Sequence, residues 1–185
     1  MQRLILAGGG HAHLHVLKRL AAKPRPDLDV VLIAPYARQI YSGMVPGWMA
    51  GHYSIDQCAA ALAPLAAAAG VRLLHDSVTG ITAGMRQLAT AQHGPLDYDV
   101  LSLDVGAQVD TSCLADSGAK LLAIRPLEQF VVDWQAALES WRREGQARLA
   151  VVGGGAAGVE LALAARYRLT QILPAGAATV TLVAG

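Results

Sequence analysis

The sequence predicts an α/β fold in which a parallel sheet, an antiparallel meander and the start of a second β-α-β unit follow one another along the chain. Three observations carry that prediction. A strand-like apolar run ends in a cluster of glycines and passes straight into a helix-spaced segment, first over residues 3–20 and again over 149–168. Residues 28–34 form an almost unbroken apolar run of the kind seen in parallel strands covered on both faces. Residues 78–91 are short-patterned and punctuated by glycine, as an antiparallel meander is.

The 185 residues are 54% hydrophobic and 16% charged, enough to bury a core and too apolar for a disordered tail. Fifteen Lys and Arg against fourteen Asp and Glu leave a formal charge of +1, with no basic excess for nucleic acid and no acidic block for a basic partner. Cys58 and Cys113 share no redox or metal-ligand spacing, so neither a disulfide framework nor a zinc site is predicted, and a reducing, cytoplasmic compartment is expected. The first strand-like run begins almost at Met1 with no secretory apolar region, so the mature chain is expected to start there. The longest apolar stretch, 149–165, is broken by Gly153, Gly154, Gly155 and Glu160 and falls short of the roughly 20 residues that a membrane span needs.

Each element has a local cause. Residues 3–7 read as a buried strand, after which Leu14, Val16, Leu17 and Leu20 fall at helix-face spacings. Pro24 and Pro26 punctuate before the strand at 28–34, which ends at Pro35. Residues 36–53 are irregular and rich in Gly, Met and aromatics, which suits a loop over a ligand. Ser54 and Gln57 have the form of a capping box for an Ala-rich helix reaching to Gly70, kinked or shortened at Pro64. A strand at 71–75, the meander and a strand at 98–105 ending at Gly106 follow. Pro126 and Gly145 bracket a helix at 127–143 that puts Leu127, Phe130, Val131, Trp134, Leu138 and Trp141 on one face, so its tryptophans are expected in the core. From Arg148 the opening pattern restarts as strand 149–152, glycine turn, helix 156–168, Pro/Gly loop and strand 179–183. The repeat sets the expected division into domains 1–145 and 146–185, the second unfinished.

The second glycine cluster, Gly153-Gly154-Gly155-Ala156-Ala157-Gly158, satisfies G-x-G-x-x-G between a strand and a helix, the context a dinucleotide site requires. Gly153 permits the tight turn, Gly155 lets backbone approach a pyrophosphate, and Gly158 lets the helix pack closely on the strand. The helix N-terminus supplies free N–H groups and the positive end of its dipole. The alternative is a glycine-rich turn that binds nothing. The first cluster, Gly8-Gly9-Gly10-His11-Ala12-His13, keeps two of the three glycines and puts His13 at the third position, where a side chain is expected to hold the helix off the strand or turn outward. Ala34 and Pro35 stand where an acid would hold a ribose. His11 falls in the phosphate turn; His11, His13 and His15 alternate, but no nearby Cys or carboxylate completes a set of ligands, so no metal is expected. Cys58, on the first turns of the helix predicted after Ser54, is expected to be a buried structural thiol.

Two glycine fingerprints separated by a mixed segment resemble, over essentially the whole chain, the two-dinucleotide flavoproteins of the pyridine nucleotide-disulfide oxidoreductase superfamily. The stretches GGGHAHLHVLKRL, YSGMVPGWMAGHYSIDQCAAALAPLA and YDVLSLDVGA resemble its type II NADH dehydrogenase-like branch, including FAD-dependent proteins found fused to, or beside, selenide, water dikinase. The resemblance implies a Rossmann-like FAD-binding domain followed by the first β-α-β of a Rossmann-like NAD(P)H domain, with hydride passing from NAD(P)H to FAD and on to an acceptor such as a quinone. It implies that Gly8, Gly10 and His11 hold the FAD pyrophosphate, that the backbone of Val78 meets the adenine, and that Asp104 and Gly106 form an altered A-T-G motif closing the FAD domain. Ser42, Gly43 and Pro46 lie where disulfide reductases carry C-x-x-x-x-C beside the flavin; the stretch has no cysteine, which favours a quinone or other acceptor. Glu160 matches a carboxylate near nicotinamide and flavin in relatives, and is equally an acid well placed near a helix N-terminus. The likeness is to the N-terminal portion of such proteins, so a dinucleotide-binding module without turnover and a partner of a selenophosphate-synthesising enzyme are the alternatives. The apolar composition leaves room for a homodimer, and full-length relatives suggest peripheral contact with a membrane.

Overall fold

The computed structural model describes residues 1–184. The chain opens with β1 (Gln2–Ala7), α1 (His11–Ala22), β2 (Leu28–Ala34), β3 (Arg38–Ile40) and α2 (Val45–Ala50). It continues through β4 (Ala59–Ala61), α3 (Leu62–Ala68), β5 (Arg72–His75), β6 (Val78–Thr82), β7 (Gln87–Thr90), β8 (Pro95–Asp97) and β9 (Val100–Leu103). It ends with α4 (Leu127–Glu144), β10 (Ala147–Val152), α5 (Ala156–Ile172) and β11 (Ala178–Val183). Two compact units result, Met1–Gln39 with Ala60–Ala107, and Ile40–Ala59 with Gln108–Gly185. Gly185, the last residue of the predicted 146–185 domain, lies outside the described residues.

The first unit is a parallel sheet in the order β5-β2-β1-β9, with Ile5 between Val31 and Leu101. Leu6, Leu32 and Ala34 pack on one face against Leu17 of α1 and Leu62 and Ala66 of α3. On the other face Ile5, Ala7, Val31 and Ile33 pack against Leu88 of the antiparallel meander β6-β7-β8. That double cover is why 28–34 reads as one apolar run. Asp76 fixes the head of the meander. Its buried carboxylate accepts N–H groups from Ser77 (2.7 Å), Gln92 (3.0 Å) and His93 (3.0 Å) and the Nδ1–H of His93 (2.7 Å).

The second unit builds its core from α2, α4 and α5 with the parallel pair β10–β11, in which Leu149 lies beside Val180. Trp48 meets Phe130 edge-on at 6.2 Å, and Trp134 stacks on Phe130 at 6.4 Å with the planes inclined at 24° and lies edge-on to Trp141 at 5.9 Å. The tryptophans are core, as their spacing predicts. Helix α4 ends as expected at Gly145, whose φ of 71° closes the last turn through an N–H bond to the Trp141 carbonyl.

Two expectations fail here. Residues 36–53 are not an irregular loop: they hold β3, a 3₁₀ turn at Ser42–Met44 and α2, and Val45, Trp48, Met49 and Ala50 are buried in the second unit's core. Their apolar side chains answer to packing. The helix expected over 54–70 is interrupted. Ser54 and Gln57 do exchange both capping-box bonds, at 2.9 and 3.3 Å, but the chain then makes a 3₁₀ turn (Asp56–Cys58) and β4 before α3 begins at Leu62. The pairing of β3 with β4 takes the backbone that a helix would have used. Pro64 therefore sits in the first turn of α3, where its missing N–H costs nothing. Cys58 is buried as expected, at the end of the 3₁₀ turn and not in a helix, and burial pushes its thiol pKa up. Among the described residues no helix is long and apolar enough to cross a membrane.

Candidate functional site

The two glycine turns share one backbone geometry. Gly8 and Gly153 end their strands with φ of 97° and 121°, a region that favours glycine. Each donates its N–H at 2.8 Å to the neighbouring strand, Gly8 to Ile33 and Gly153 to Val183. Gly10 (φ −67°, ψ 178°) and Gly155 (φ −71°, ψ 173°) are then extended N-caps, whose carbonyls accept from Leu14 at 3.0 Å and Val159 at 3.1 Å. The internal repeat visible in the sequence is thus a repeat of strand, turn and helix start, once in each unit.

At the third fingerprint position the two turns part. A Cβ on Gly158 would collide with the Gly153 carbonyl oxygen, so α5 packs on its strand at a distance only glycine allows. His13, in the same place on α1, does not turn outward. It is buried, with Nδ1 2.6 Å from the Gly8 carbonyl oxygen and Nε2 2.8 Å from Ser102 Oγ. A carbonyl only accepts, so Nδ1 carries a proton and donates to Gly8, while Nε2 pairs with the Ser102 hydroxyl. The imidazole bonds the carbonyl that a Cβ would strike in the second turn. His11 and His15 are exposed while His13 is inside, so the three imidazoles do not converge on one point.

The sheet order β5-β2-β1-β9 reverses direction between β1 and β9, and the carboxyl ends of those strands form the crevice where ligands bind in open α/β sheets. Asp104, directly after β9, reaches into it. Its N–H donates to Ala7 at 2.8 Å and its carbonyl accepts from Gly10 at 3.3 Å. Its carboxylate Oδ2 accepts the N–H groups of Ala12 at 2.9 Å and His13 at 3.3 Å. A Cβ on Gly10 would collide with that carboxylate. Gly8, Gly10 and Asp104 are therefore brought together, and the first-turn amides of α1 already hold a carboxylate. Neither His13 with Ser102 nor the capping role of Asp104 was legible singly. Their joint signal was two departures, at the third glycine and at the strand end, that meet in space.

The remaining candidate residues are placed as follows. His11 is the exposed first residue of α1. Val78 opens β6 opposite Thr90, with its side chain against the Ile5–Ile33 cluster. Gly106 is exposed with φ 78°. In the second unit Ser42 starts the 3₁₀ turn, Gly43 faces the Tyr41 ring, Pro46 sits in the first turn of α2, and Glu160 is exposed on α5.

The turns differ in how they suit a dinucleotide. Open space surrounds the Cβ direction of Gly155, and among the described residues no carboxylate bonds the first-turn amides of α5, so that turn fits a pyrophosphate. The first turn has the same backbone but fits a pyrophosphate only with the Asp104 side chain turned away. No acid follows β2 to hold a ribose, since Ala34 is buried and Pro35 follows.

Among curated proteins none matches the chain. Solved structures do. NDH2 from Plasmodium falciparum in complex with RYL-552 is similar with a TM-score of 0.77 and 16% identity, over 98% of this chain and 41% of that one. The sulfide:quinone oxidoreductase of the hyperthermophilic bacterium Aquifex aeolicus is similar with a TM-score of 0.73 and 17% identity, over 98% and 43%. The covalent putidaredoxin reductase–putidaredoxin complex follows at 0.71 and 23%, over 98% and 42%. At these identities the likeness is one of fold, and the chain spans about two-fifths of each matched chain. The model of the pyridine nucleotide-disulphide oxidoreductase family matches residues 2–184. Twin glycine turns on parallel strands, and a family match running nearly end to end, establish that the chain belongs to the pyridine nucleotide-disulphide oxidoreductase family.

Proposed function

We propose that the protein is an FAD-dependent NAD(P)H oxidoreductase of the NADH dehydrogenase-like branch, passing electrons to a small-molecule acceptor such as a quinone. The observation that carries this reading is the recurrence of one strand–turn–helix geometry, at Gly8–Gly10 and at Gly153–Gly155, in a chain of this family. Residues 1–145 are assigned to FAD and 146–185 to NAD(P)H. The α5 amides behind Gly153, Gly155 and Gly158 hold the nicotinamide dinucleotide. Gly8, Gly10, His11, Val78, Asp104 and Gly106 line the flavin dinucleotide site, and Ser42, Gly43 and Pro46 are assigned to the flavin ring. When bound, the two cofactors supply the hydride chemistry, and the chain's part is to hold and orient them. Glu160 is assigned to the reacting region as a fixed negative charge. We place the protein in the cytoplasm, as a homodimer, with peripheral membrane contact if the acceptor is a quinone.

The test is the visible spectrum of the purified protein, with identification of any cofactor released by heating. A flavin spectrum with FAD released, bleaching when NADH or NADPH is added without oxygen, is the expected result. A flavin-loaded sample that does not bleach refutes reductase activity. A second reading, a dinucleotide-binding module without turnover, is favoured by the Asp104 carboxylate on the α1 amides and by the missing acid after β2. It predicts thermal stabilisation by FAD, NADH or ADP with no flavin reduction. Association with a selenophosphate-synthesising enzyme would appear as co-purification of the two proteins.

A further inference from the structure

We propose that Asp104 is a built-in occupant of the α1 phosphate site, an internal carboxylate that a dinucleotide must displace, so that this one side chain sets how tightly the first unit takes FAD. The inference rests on the reading of the α1 turn as a dinucleotide site and concerns what controls that site. Three observations support it. The carboxylate holds two first-turn amides of α1, Ala12 at 2.9 Å and His13 at 3.3 Å, the donors a helix N-terminus offers to an anion. The seat is fitted to it. Gly10 lies where any Cβ would meet the carboxylate, and backbone bonds from Gly10 to the Asp104 carbonyl and from Asp104 to Ala7 fix the residue that bears it. The matching turn at α5 has the same backbone and, among the described residues, no such carboxylate.

A phosphate and a carboxylate cannot share these amides, because both are acceptors and both are negative. Binding therefore requires Asp104 to swing out, giving up charge-assisted bonds, and afterwards leaves its charge close to the pyrophosphate. Both effects act against the ligand; removing the charge abolishes the repulsion and leaves at most a weaker neutral hydrogen bond to displace. In the absence of dinucleotide the same carboxylate satisfies amides that would otherwise lack a protein partner, so it stabilises the empty fold.

The experiment compares wild type, Asp104→Asn, Asp104→Ala and, as a charge control remote from the turn, Asp97→Asn, in the full chain stripped of cofactor. FAD affinity is read by flavin fluorescence, with the melting temperature of each empty protein. Asp104→Asn keeps a carbonyl oxygen for the amides and guards against a variant that fails to fold. The expected result is FAD bound at least tenfold more tightly by both Asp104 variants, no change in Asp97→Asn, and a lower melting temperature for empty Asp104→Ala. Equal or weaker binding by the Asp104 variants, with wild type binding FAD, overturns the proposal and leaves the flavoprotein reading standing. Binding by neither wild type nor variants overturns both.

Discussion

Restoring the fingerprint at the first turn should weaken the protein. His13→Gly would recreate G-x-G-x-x-G, and a reading confined to the sequence would expect tighter packing of α1 on β1. The geometry predicts the opposite. The imidazole is buried and bonded at both nitrogens, to the Gly8 carbonyl and to Ser102, and removing it deletes two hydrogen bonds worth about 1 kcal/mol each. The emptied ring space adds about 1 kcal/mol, and glycine in place of histidine in a helix costs about 0.4 kcal/mol more. The sum is about 3 kcal/mol, or about 10 °C in melting temperature for a chain of this length. Urea denaturation and thermal melting followed by far-UV circular dichroism measure it. His13→Asn, whose side-chain N–H can replace the Nδ1–H donation to Gly8, should recover part of the loss. A His13→Gly protein that melts with or above wild type would refute the reasoning, because it would show that α1 can close onto β1 as α5 does onto β10.

Three further outcomes follow from the same geometry. Gly158→Ala gains about 1 kcal/mol of helix propensity but drives a Cβ into the Gly153 carbonyl, a backbone atom no rotamer can move, so a net loss of about 1–3 kcal/mol is expected in urea denaturation; equal stability would count against the close packing of α5. For Asp76, burial alone would raise the carboxyl pKa, but the His93 ring and the amides of Gln92, His93 and Ser77 outweigh it and hold it below the ordinary carboxylate range. A lowered folded-state pKa gives stability that is full above the unfolded value near 3.8 and lost as pH falls through the folded one, so the gap between wild type and Asp76→Asn should be widest at neutral pH and shrink below about pH 4. A gap that stays constant into acid would assign the loss to something other than the charge. Iodoacetamide should label exposed Cys113 quickly and buried Cys58 only on unfolding, as followed by peptide mass spectrometry; equal rates would contradict the burial of Cys58.

What the sequence revealed and what it hid divide by the range of the interaction responsible. The strands at 28–34 and 149–152 and the helix bracketed by Pro126 and Gly145 are legible because burial on both faces, a glycine turn and a C-cap write themselves into neighbouring residues. The segment after Ser54 misled because its capping box is real and yet local. Two bonds between Ser54 and Gln57 satisfy the pattern, and the pairing of β4 with β3 decides what the next residues do. Residues 36–53 misled for a related reason: aromatics and methionines suggest a ligand-facing loop, whereas Trp48 and Met49 serve a core whose other half, on α4 and α5, comes much later in the chain.

The two glycine turns carry that point into function. Their backbones agree in φ, ψ and hydrogen-bond partners, so a fingerprint written in glycines describes both equally well. Yet the fingerprint covers only one strand, one turn and one helix start, while the crevice at a reversal of strand order is closed by the end of a second strand. In the first unit that strand is β9, and the residue at its end puts a negative charge on the helix amides. In the first unit the same glycine backbone therefore meets a dinucleotide with its helix amides engaged, so the α1 turn should take ADP poorly until Asp104 is neutralised. Ligand preference at such a site is set by the neighbour of the motif as much as by the motif.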